Sequence, residues 1–463
     1  MILRKPVRSA SGVVVVATMC CSFSCPHGRC LYCPRFPGIP ASYTGFEPSS
    51  MRGFQNVFDP FLQVSDRIAQ LEQGGHSTDK VELIIQGGTF PALDRSYQEW
   101  FVKSCLDGIH GSVSEDLSQC HQAAEHAKRR CVGLTVETRP DYCKEADVDF
   151  MLKLGVTRVE VGVQSPFDDV LLRVCRGHDV EEVVDCFRIA KDSGLKVVAH
   201  MMPGLPGSDI DRDLEGFRLL FQDERFRPDM LKIYPTLVVK STGLYDTWLR
   251  GDYVPLEPED AAMLVAEVKK MVPPWIRLMR VQRDVPSNLI IAGVRKSNLR
   301  ELAWDYLRKE GSKCRCIRCR EVGLRRDSKG PYDLKLKSIR YSASEGEELF
   351  LSYEDSSHDI IFAYLRLRFP SSKAHRPEIA GEKVCLVREL RSLGTSLPLG
   401  TRDESSWQHK GLGKSLMSEA ERIADEVYGA RKLVVTAAVG TRQYYRSLGF
   451  SLEGPYMSKR IGN

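Results

Sequence analysis

Three cysteines in the run Cys25-Pro-His-Gly-Arg-Cys30-Leu-Tyr-Cys33 have the spacing of a metal centre. Three thiolates can hold three irons of a cubane [4Fe–4S] cluster and leave the fourth iron open to a ligand. An open iron points to chemistry rather than to electron storage. A structural zinc site is the competing reading. It needs a fourth ligand, for which His27, Cys20 and Cys21 stand close in sequence. Disulfides are not expected, because the chain shows no sign of secretion and cytosolic thiols stay reduced. Spacing alone does not choose between iron–sulfur and zinc.

A second constellation lies near the other end, Gln408-His-Lys410-Gly411-Leu412-Gly413-Lys414-Ser415. A glycine-rich turn opening a helix offers free N–H groups and a favourable dipole to phosphate. A P-loop would need glycine in place of Gln408, and a dinucleotide fingerprint would need glycine in place of Leu416, so both fail. The remaining pattern, Q-x-x-G-x-G, resembles the loop that cradles the pyrophosphate of coenzyme A in GNAT acetyltransferases. Downstream, Gly440-Thr-Arg-Gln-Tyr444-Tyr445-Arg-Ser-Leu-Gly449-Phe450 resembles the GNAT helix beside the thioester.

A third group is Cys314-Arg-Cys316-Ile-Arg-Cys319. Its compact thiolates favour zinc, with an unnamed fourth ligand, over redox-inert structural cysteines. It sits in a basic belt. Between Lys269 and Lys329 there are 17 Lys and Arg against 6 Asp and Glu, a local charge of +11, which leaves −6 for the rest of a chain whose net charge is +5. Such a belt is an electrostatic footprint for a polyanion, the alternative being a solvated, salt-bridged surface.

These groups need elements to position them. From about residue 80 to 240, short apolar runs alternate with helical patterns. Strands are expected at Val81–Ile85, Cys131–Glu137, Arg158–Val163, Leu195–His200 and Met230–Tyr234, with helices such as 146–154 and 181–193 between them. That alternation predicts a parallel sheet with right-handed crossovers and ligands beyond the C-terminal strand ends. Gly87-Gly88-Thr89, Glu137-Thr138-Arg139, Gln164-Ser165 and the run Pro203 to Gly207 fall at those ends. After the basic belt the pattern changes. Strands at 349–353 and 359–369 read as antiparallel neighbours, followed by a strand at 384–390, an amphipathic helix over 413–428, a strand at 432–438, a short helix over 441–448 and a last strand from Ser451. The expected organisation is 1–268, 269–330 as a basic, cysteine-containing linker, and 331–463.

The 463 residues are 42% hydrophobic and 27% charged, an ordinary globular composition with room for two or three domains. The start of the chain is no signal peptide, and no apolar run reaches the length of a membrane span, so a cytoplasmic protein without a membrane partner is expected. Of 15 cysteines, five fall between positions 20 and 33 and three between 314 and 319; the other seven are scattered and read as small buried hydrophobes.

Taken together, the chain resembles the family of the catalytic subunit of Elongator, in its stand-alone bacterial or archaeal form. The resemblance covers essentially the whole chain. Its most specific stretches are Ser42-Tyr-Thr-Gly-Phe-Glu-Pro, Gln86-Gly-Gly-Thr-Phe, Thr138-Arg-Pro-Asp, Glu160-Val-Gly-Val-Gln-Ser, Leu231-Lys-Ile-Tyr-Pro-Thr-Leu, Arg280-Val-Gln-Arg-Asp, Val387-Arg-Glu-Leu and Gly454-Pro-Tyr-Met. It implies an α/β architecture, a partial (β/α) radical SAM barrel followed by a GNAT-type domain. It also implies a [4Fe–4S] cluster on Cys25, Cys30 and Cys33, with Tyr32 in the aromatic slot before the last cysteine. Gly87, Gly88 and Gln164 are expected at S-adenosylmethionine. Lys232 and Tyr234 are expected where two active sites face each other. Lys410, Gly411, Leu412, Gly413 and Lys414 are expected at coenzyme A, and Tyr444 and Tyr445 at the acetyl group. Arg280, Arg283, Arg295 and Lys296 are expected on the anticodon stem-loop of tRNA.

The implied reaction installs a carboxymethyl group at C5 of the wobble uridine. A 5′-deoxyadenosyl radical abstracts hydrogen from the methyl group of acetyl-CoA, the carbon radical adds to the base, and hydrolysis releases coenzyme A. An external electron donor is required. A homodimer is compatible with the sequence, and accessory subunits are not required by it. The triad spacing of four then two departs from the usual three then two. The chain also begins close to its first strand, without most of the basic extension of larger relatives, so part of the tRNA grip is expected to be missing. Two alternatives compete. A protein lysine acetyltransferase with a structural cluster would need a base near the thioester, for which Glu389 is the candidate. A tRNA-binding scaffold with decayed sites would not be expected to keep both motifs intact.

Overall fold

The computed structural model describes residues 5–325, 330–397, 407 and 410–462. Gln408 of the glycine-rich motif lies outside them. Two seven-stranded sheets organise the chain.

The first sheet is wholly parallel and runs in sequence order: β1 (Val14–Met19), β2 (Lys80–Gln86), β3 (Arg130–Thr138), β4 (Arg158–Gln164), β5 (Lys196–Met201), β6 (Met230–Ile233) and β7 (Arg277–Arg280). Helices cross over between the strands, as the alternation predicts. One face of each strand feeds a helix-covered core: Val81, Leu83 and Ile85 on β2, Val159, Val161 and Val163 on β4, Val197, Ala199 and Met201 on β5. The other face is different. Its period-2 positions include Glu82, Thr135, Arg158, Glu160, Lys196, His200 and Lys232, with Ile84, Val198 and Met230 as apolar members among them. Two glycines, Gly133 and Gly162, sit in that same inward register.

The second sheet is mixed. It contains β8 (Leu334–Ala343), β9 (Gly346–Asp355), β10 (Ile360–Phe369), β11 (Val384–Ser392), β12 (Lys432–Val435), β13 (Ser451–Glu453) and β14 (Tyr456–Arg460), in the order β8-β9-β10-β11-β12-β14-β13. Only β11 and β12 pair in parallel, from Val384↔Lys432 to Val387↔Val435. Beyond Val387 the two strands part. The helix Leu412–Glu426 packs on this sheet through Leu416, Met417, Ala420, Ile423 and Ala424.

Two sequence expectations need correction. Residues 269–330 are not a linker. They supply β7, which pairs with β6, and the helix Leu299–Lys309, whose Leu299, Ala303 and Leu307 enter the same core as Cys314 and Cys316. Charge masked this, because Arg277 is buried against Glu321 (2.9 Å) and Arg320 against Glu354 (2.9 Å) instead of facing solvent. The strand Leu334–Ala343 was not expected either. It is an edge strand whose apolar alternation changes phase midway, Leu334 and Leu336 on one face and Ile339, Tyr341 and Ala343 on the other.

The two halves share one core: Ile379, Val384, Leu386, Val434 and Tyr456 pack with the helix-covered side of the first sheet. Buried charge fixes their orientation. Arg388 of β11 donates to both carboxylate oxygens of Asp229 (2.8 and 2.6 Å), Arg368 of β10 donates to Asp192 (2.7 Å), and Tyr456 donates to the Ser193 carbonyl (2.9 Å). Burial opposes the charge on Asp229, yet Arg388 and Arg366 hold its carboxyl well below the usual range.

Candidate active site: two cavities on one barrel

The loop after β1 brings Cys25, Cys30 and Cys33 to the C-terminal strand ends. One cavity there is lined by all three, by Tyr32, Gly87, Gly88, Gln164 and Tyr234, and by Arg280 and Arg283 at its mouth. The loop is tied down by Leu31, which donates to the Val174 carbonyl and accepts from Leu244 N. His27 sits between the thiols, Nδ1 3.1 Å from Cys25 Sγ and Nε2 3.1 Å from Cys30 Sγ. Burial, with Arg139 and Arg176 close by, pushes its imidazole down to about 4. It is therefore neutral near pH 7. Arg176, buried, reaches Cys30 Sγ (3.7 Å) and the Gly162 carbonyl (2.7 Å). Burial pushes the Cys25 thiol up, and the Arg139 and Arg176 guanidinium groups oppose that shift.

The donor set fits an iron–sulfur cluster better than a single zinc. Among the described residues, these three sulfurs do not form a group within 4.8 Å of one another, as a single tetrahedral ion would require. Cys20, a candidate fourth zinc ligand, instead packs in the core beneath Gly87. The cavity also holds unmet polar atoms. Tyr32 Oη, Gln86 Oε1, Glu160 Oε1 and Gln164 Oε1 are buried without hydrogen-bond partners. Buried polar groups are nearly always satisfied, so these four mark space for a polar ligand.

Gly87 and Gly88 have φ of +140° and +88°, and a Cβ on Gly87 would collide with Cys20 Sγ. Their N–H groups both donate to Glu137 Oε2 (3.1 Å each), which also accepts from Tyr43 Oη. Gln164 ends β4 at φ +69°. Below them, Lys232 forms an ion pair with Glu160, and His200 Nε2 lies 3.2 Å from the same oxygen. Burial works against the Glu160 carboxylate, but Lys232 and His200 hold it ionised far below its ordinary range. Lys232 stands behind Glu160, outside the cavity wall; Tyr234 is in the wall, edge-on to His200. Sequence reasoning placed Glu137 and Arg139 at a strand end without a role and missed Glu160, His200 and Arg176. Polarity at inward strand positions was the signal for Glu137, Glu160 and His200, whereas Arg139 and Arg176 lie in loops.

The basic set divides. Arg280 pairs with Asp284, and Arg283 donates to the Ser42 carbonyl. Arg295 and Lys296 lie apart on the surface, Lys296 in an ion pair with Glu259 (2.6 Å).

A second cavity, of about 680 Å³, opens between the two sheets. Its walls include Gly411, Leu412, Gly413, Lys414, Tyr444 and Tyr445. Gly411 caps the helix Leu412–Glu426 in the left-handed region (φ +81°), and it offers no side chain to the first-turn N–H groups. A Cβ on Gly413 would press against Tyr444 Oη at 3.3 Å. Lys410 lies outside this wall, its ammonium over the Trp407 ring at 4.2 Å. The opposite wall is built by the strand starts of the first sheet: Lys80, Glu82, Arg130, Arg158 and Lys196. Glu389, the expected base, is not free for that task. It accepts from Tyr364 Oη (2.9 Å) and Arg366 Nε (2.9 Å), and although burial opposes it, Arg366 keeps its carboxyl low.

The two cavities thus lie at opposite ends of the same strands. On β4, Arg158 faces one and Gln164 the other, about 20 Å apart. The sulfurs of Cys314, Cys316 and Cys319 lie within 4.8 Å of one another, so they suit a single tetrahedral ion, with Lys269 and Arg300 beside them. Among the described residues that group contains no fourth His, Cys, Asp or Glu.

The fold and the two cavities define a radical SAM barrel joined to a GNAT acetyltransferase domain. Residues 19–219 match the radical SAM superfamily, 228–309 the radical SAM C-terminal domain and 404–460 the acetyltransferase (GNAT) domain. Radical SAM membership implies a [4Fe–4S] cluster and S-adenosylmethionine. The tRNA uridine(34) acetyltransferase of Methanocaldococcus infernus is 50% identical over 99% of this chain and 87% of its own length. Elongator complex protein 3 of Homo sapiens is 47% identical over 99% and 86%. The solved structure of the archaeal Methanocaldococcus infernus Elp3 lacking residues 1–46 superposes with a TM-score of 0.87 at 46% identity, covering 97% of this chain and all of that one. The chain belongs to the Elongator complex protein 3 family. Among the described residues no helix is long and apolar enough to cross a membrane.

Proposed function

We propose that this chain modifies the wobble uridine of tRNA, using a radical derived from S-adenosylmethionine to join the acetyl carbon of acetyl-CoA to C5 as a carboxymethyl group. The observation that carries the reading is that β2, β3, β4 and β5 line both cavities, the thiols at one end and the coenzyme A loop at the other.

Cys25, Cys30 and Cys33 would hold the cluster, which supplies an electron, received from an external donor, for cleaving S-adenosylmethionine. Gly87 and Gly88 bring the backbone close to the amino-acid end of that ligand, and Gln164 and Tyr32 offer it their unmet polar atoms. Arg280 and Arg283 place positive charge at the mouth for tRNA phosphates, and a splayed loop base can enter a cavity of this kind. Arg295 and Lys296 extend the same footprint over the surface. Gly411 to Lys414 present first-turn N–H groups to the pyrophosphate of coenzyme A, with Lys410 at the edge. Tyr444 and Tyr445 flank the thioester. Lys232 neutralises Glu160 midway between the two ends, and Tyr234 stands above the pair. Cys314, Cys316 and Cys319 would hold a structural zinc.

The lysine acetyltransferase reading is weaker, because Glu389 is spent in a buried ion pair and strand starts close the wall where a foreign lysine would enter. The test is anaerobic incubation of reconstituted protein with S-adenosylmethionine, dithionite, acetyl-CoA and tRNA. Appearance of 5′-deoxyadenosine and 5-carboxymethyluridine is expected. Absence of both from cluster-loaded protein refutes the proposal.

A further inference from the structure

The second cavity contains an amine that the proposed reaction does not use. Lys196 begins β5, is half-buried, and forms part of the same wall as Gly411 to Lys414, Tyr444 and Tyr445. Its Nζ donates to the Arg388 carbonyl at 3.2 Å. Arg388 is the residue at which β11 leaves its partner β12, just past the last pair Val387↔Val435, and at which its register to β10 slips. The amine therefore stands where the two strands part. Its place is fixed from behind: Gly194 has φ +82°, and a Cβ there would collide with Thr436 Oγ1 of the opposing wall. Around it, Thr135 Oγ1, Thr436 Oγ1, Arg158 Nε and Arg391 Nε are buried without hydrogen-bond partners. Four unmet polar atoms around one lysine mark a place built for a polar ligand.

We propose that Lys196 is a self-acetylation site, its amine taking the acetyl group from acetyl-CoA bound in this cavity. The inference rests on the acetyl-CoA reading above. In the step, the lone pair on Nζ attacks the thioester carbonyl, a C–N bond forms and the C–S bond breaks. Coenzyme A leaves as thiolate and takes up the proton lost from nitrogen, so no oxidant or further reactant is needed. Burial pushes the ammonium down to about 8; Glu389 and Glu82 oppose that shift, while Arg158 and Arg388 reinforce it. Lys80 and Arg130 add positive charge from the neighbouring strand starts. A useful fraction of the amine is thus neutral near physiological pH. Acetylation would remove the charge, fill the gap between β11 and β12, and so act as a brake on further use of the cavity.

The experiment treats the full-length holoprotein with acetyl-CoA labelled in the acetyl group and maps label by peptide mass spectrometry. Label at Lys196 is expected, its initial rate rising about tenfold per pH unit below 8, with suppression by excess coenzyme A. K196R should lose that label while keeping acetyl-CoA binding by equilibrium dialysis and an unchanged melting temperature. Lys335, exposed on the edge strand β8 and outside both cavities, serves as comparator, since K335R should leave the Lys196 label intact. If K196R misfolds, protection of the native protein by coenzyme A still decides. Binding of acetyl-CoA without label at Lys196 overturns this inference alone, as does equally fast labelling by acetyl phosphate that coenzyme A does not suppress. Failure of acetyl-CoA to bind at all overturns the functional reading and this inference together.

Discussion

Replacing Lys232 by methionine tests whether the middle of the barrel is built around charge. Lys232 and Glu160 are buried, with side chains 5% and 0% exposed, and the carboxylate has no other cation in contact except His200 if that ring is protonated. Burial and Lys232 push the His200 imidazole below its ordinary value, so it is neutral near pH 7. Lys232→Met keeps the length and packing of the stem but leaves Glu160 as an uncompensated buried charge. Removing one member of a buried pair costs about 3–5 kcal/mol. For a cooperative unit of this size that is a fall of roughly 3–5 °C in melting temperature. Glu160→Gln in the same background removes the stranded charge, so the double variant should recover a large part of the loss. Both should lack carboxymethyluridine synthesis, because the double variant restores stability without restoring the cation. Differential scanning calorimetry of the two variants at pH 7, with tRNA modification measured in parallel, separates the effects. A single variant melting within a degree of the parent, or a double variant no more stable than the single, would sink the reasoning.

Cys30→Ala should abolish production of 5′-deoxyadenosine yet leave tRNA affinity by filter binding unchanged; loss of affinity would point to a structural metal instead. Glu82 is buried, and despite that burial Arg158 and Arg391 hold its carboxyl at about 2. A depressed carboxyl gives stability that is full above pH 4.5 and is lost as pH falls through 2, here about 3 kcal/mol. Melting temperature of the parent should therefore fall more steeply than that of Glu82→Gln over that window, and parallel curves would refute the assignment. Affinity for tRNA should drop steeply with added salt, and Arg283→Ala should reduce the slope by about one, measured by titration between low and physiological salt. An unchanged slope removes Arg283 from the phosphate contacts. Cys316→Ser should release zinc from purified protein by elemental analysis; equal metal content in parent and variant would return those cysteines to an inert role.

The sequence showed β2 to β6 because each carries a short apolar run bounded by glycine or a helical pattern. It showed β1 only as a brief apolar run before the cysteines. It hid β7, whose Arg277 and Arg280 looked like part of a surface belt, although Arg277 turns inward to Glu321. The chemistry at the strand ends was legible because glycine pairs and charged residues there have no packing reason to follow an apolar run. Gly87, Gly88, Gln164 and Tyr234 indeed share a cavity with the cysteine triad, whereas Arg295 and Lys296 lie away from it. The joint between the halves was not legible. Arg388 and Asp229 are far apart in the chain, and an arginine that follows the apolar run Val384 to Val387 does not announce its partner. Nor could the motifs show that the loop Gly411 to Lys414 faces the starts, rather than the ends, of the parallel strands.

That last point bears on why the barrel interior is charged. A closed (β/α) barrel ordinarily fills its centre with layers of branched apolar side chains. Here the inward positions of β2 to β6 are mostly polar, with Glu82, Thr135, Arg158, Glu160, Lys196, His200 and Lys232, glycine at 133 and 162, and only Ile84, Val198 and Met230 as large apolar side chains. Stability does not account for this choice, since a buried ion pair is often no better than a well-packed hydrophobic replacement. Structural need alone would also leave these groups satisfied, yet Thr135 Oγ1, Arg158 Nε and Glu160 Oε1 are buried without partners. An interior that is charged, only partly satisfied and thinned by glycine is suited to a polar substrate rather than to packing. The strands that could have sealed the two cavities from each other instead line both, so the roughly 20 Å between Arg158 and Gln164 is the length over which the reaction proposed above would have to bring its two substrates together.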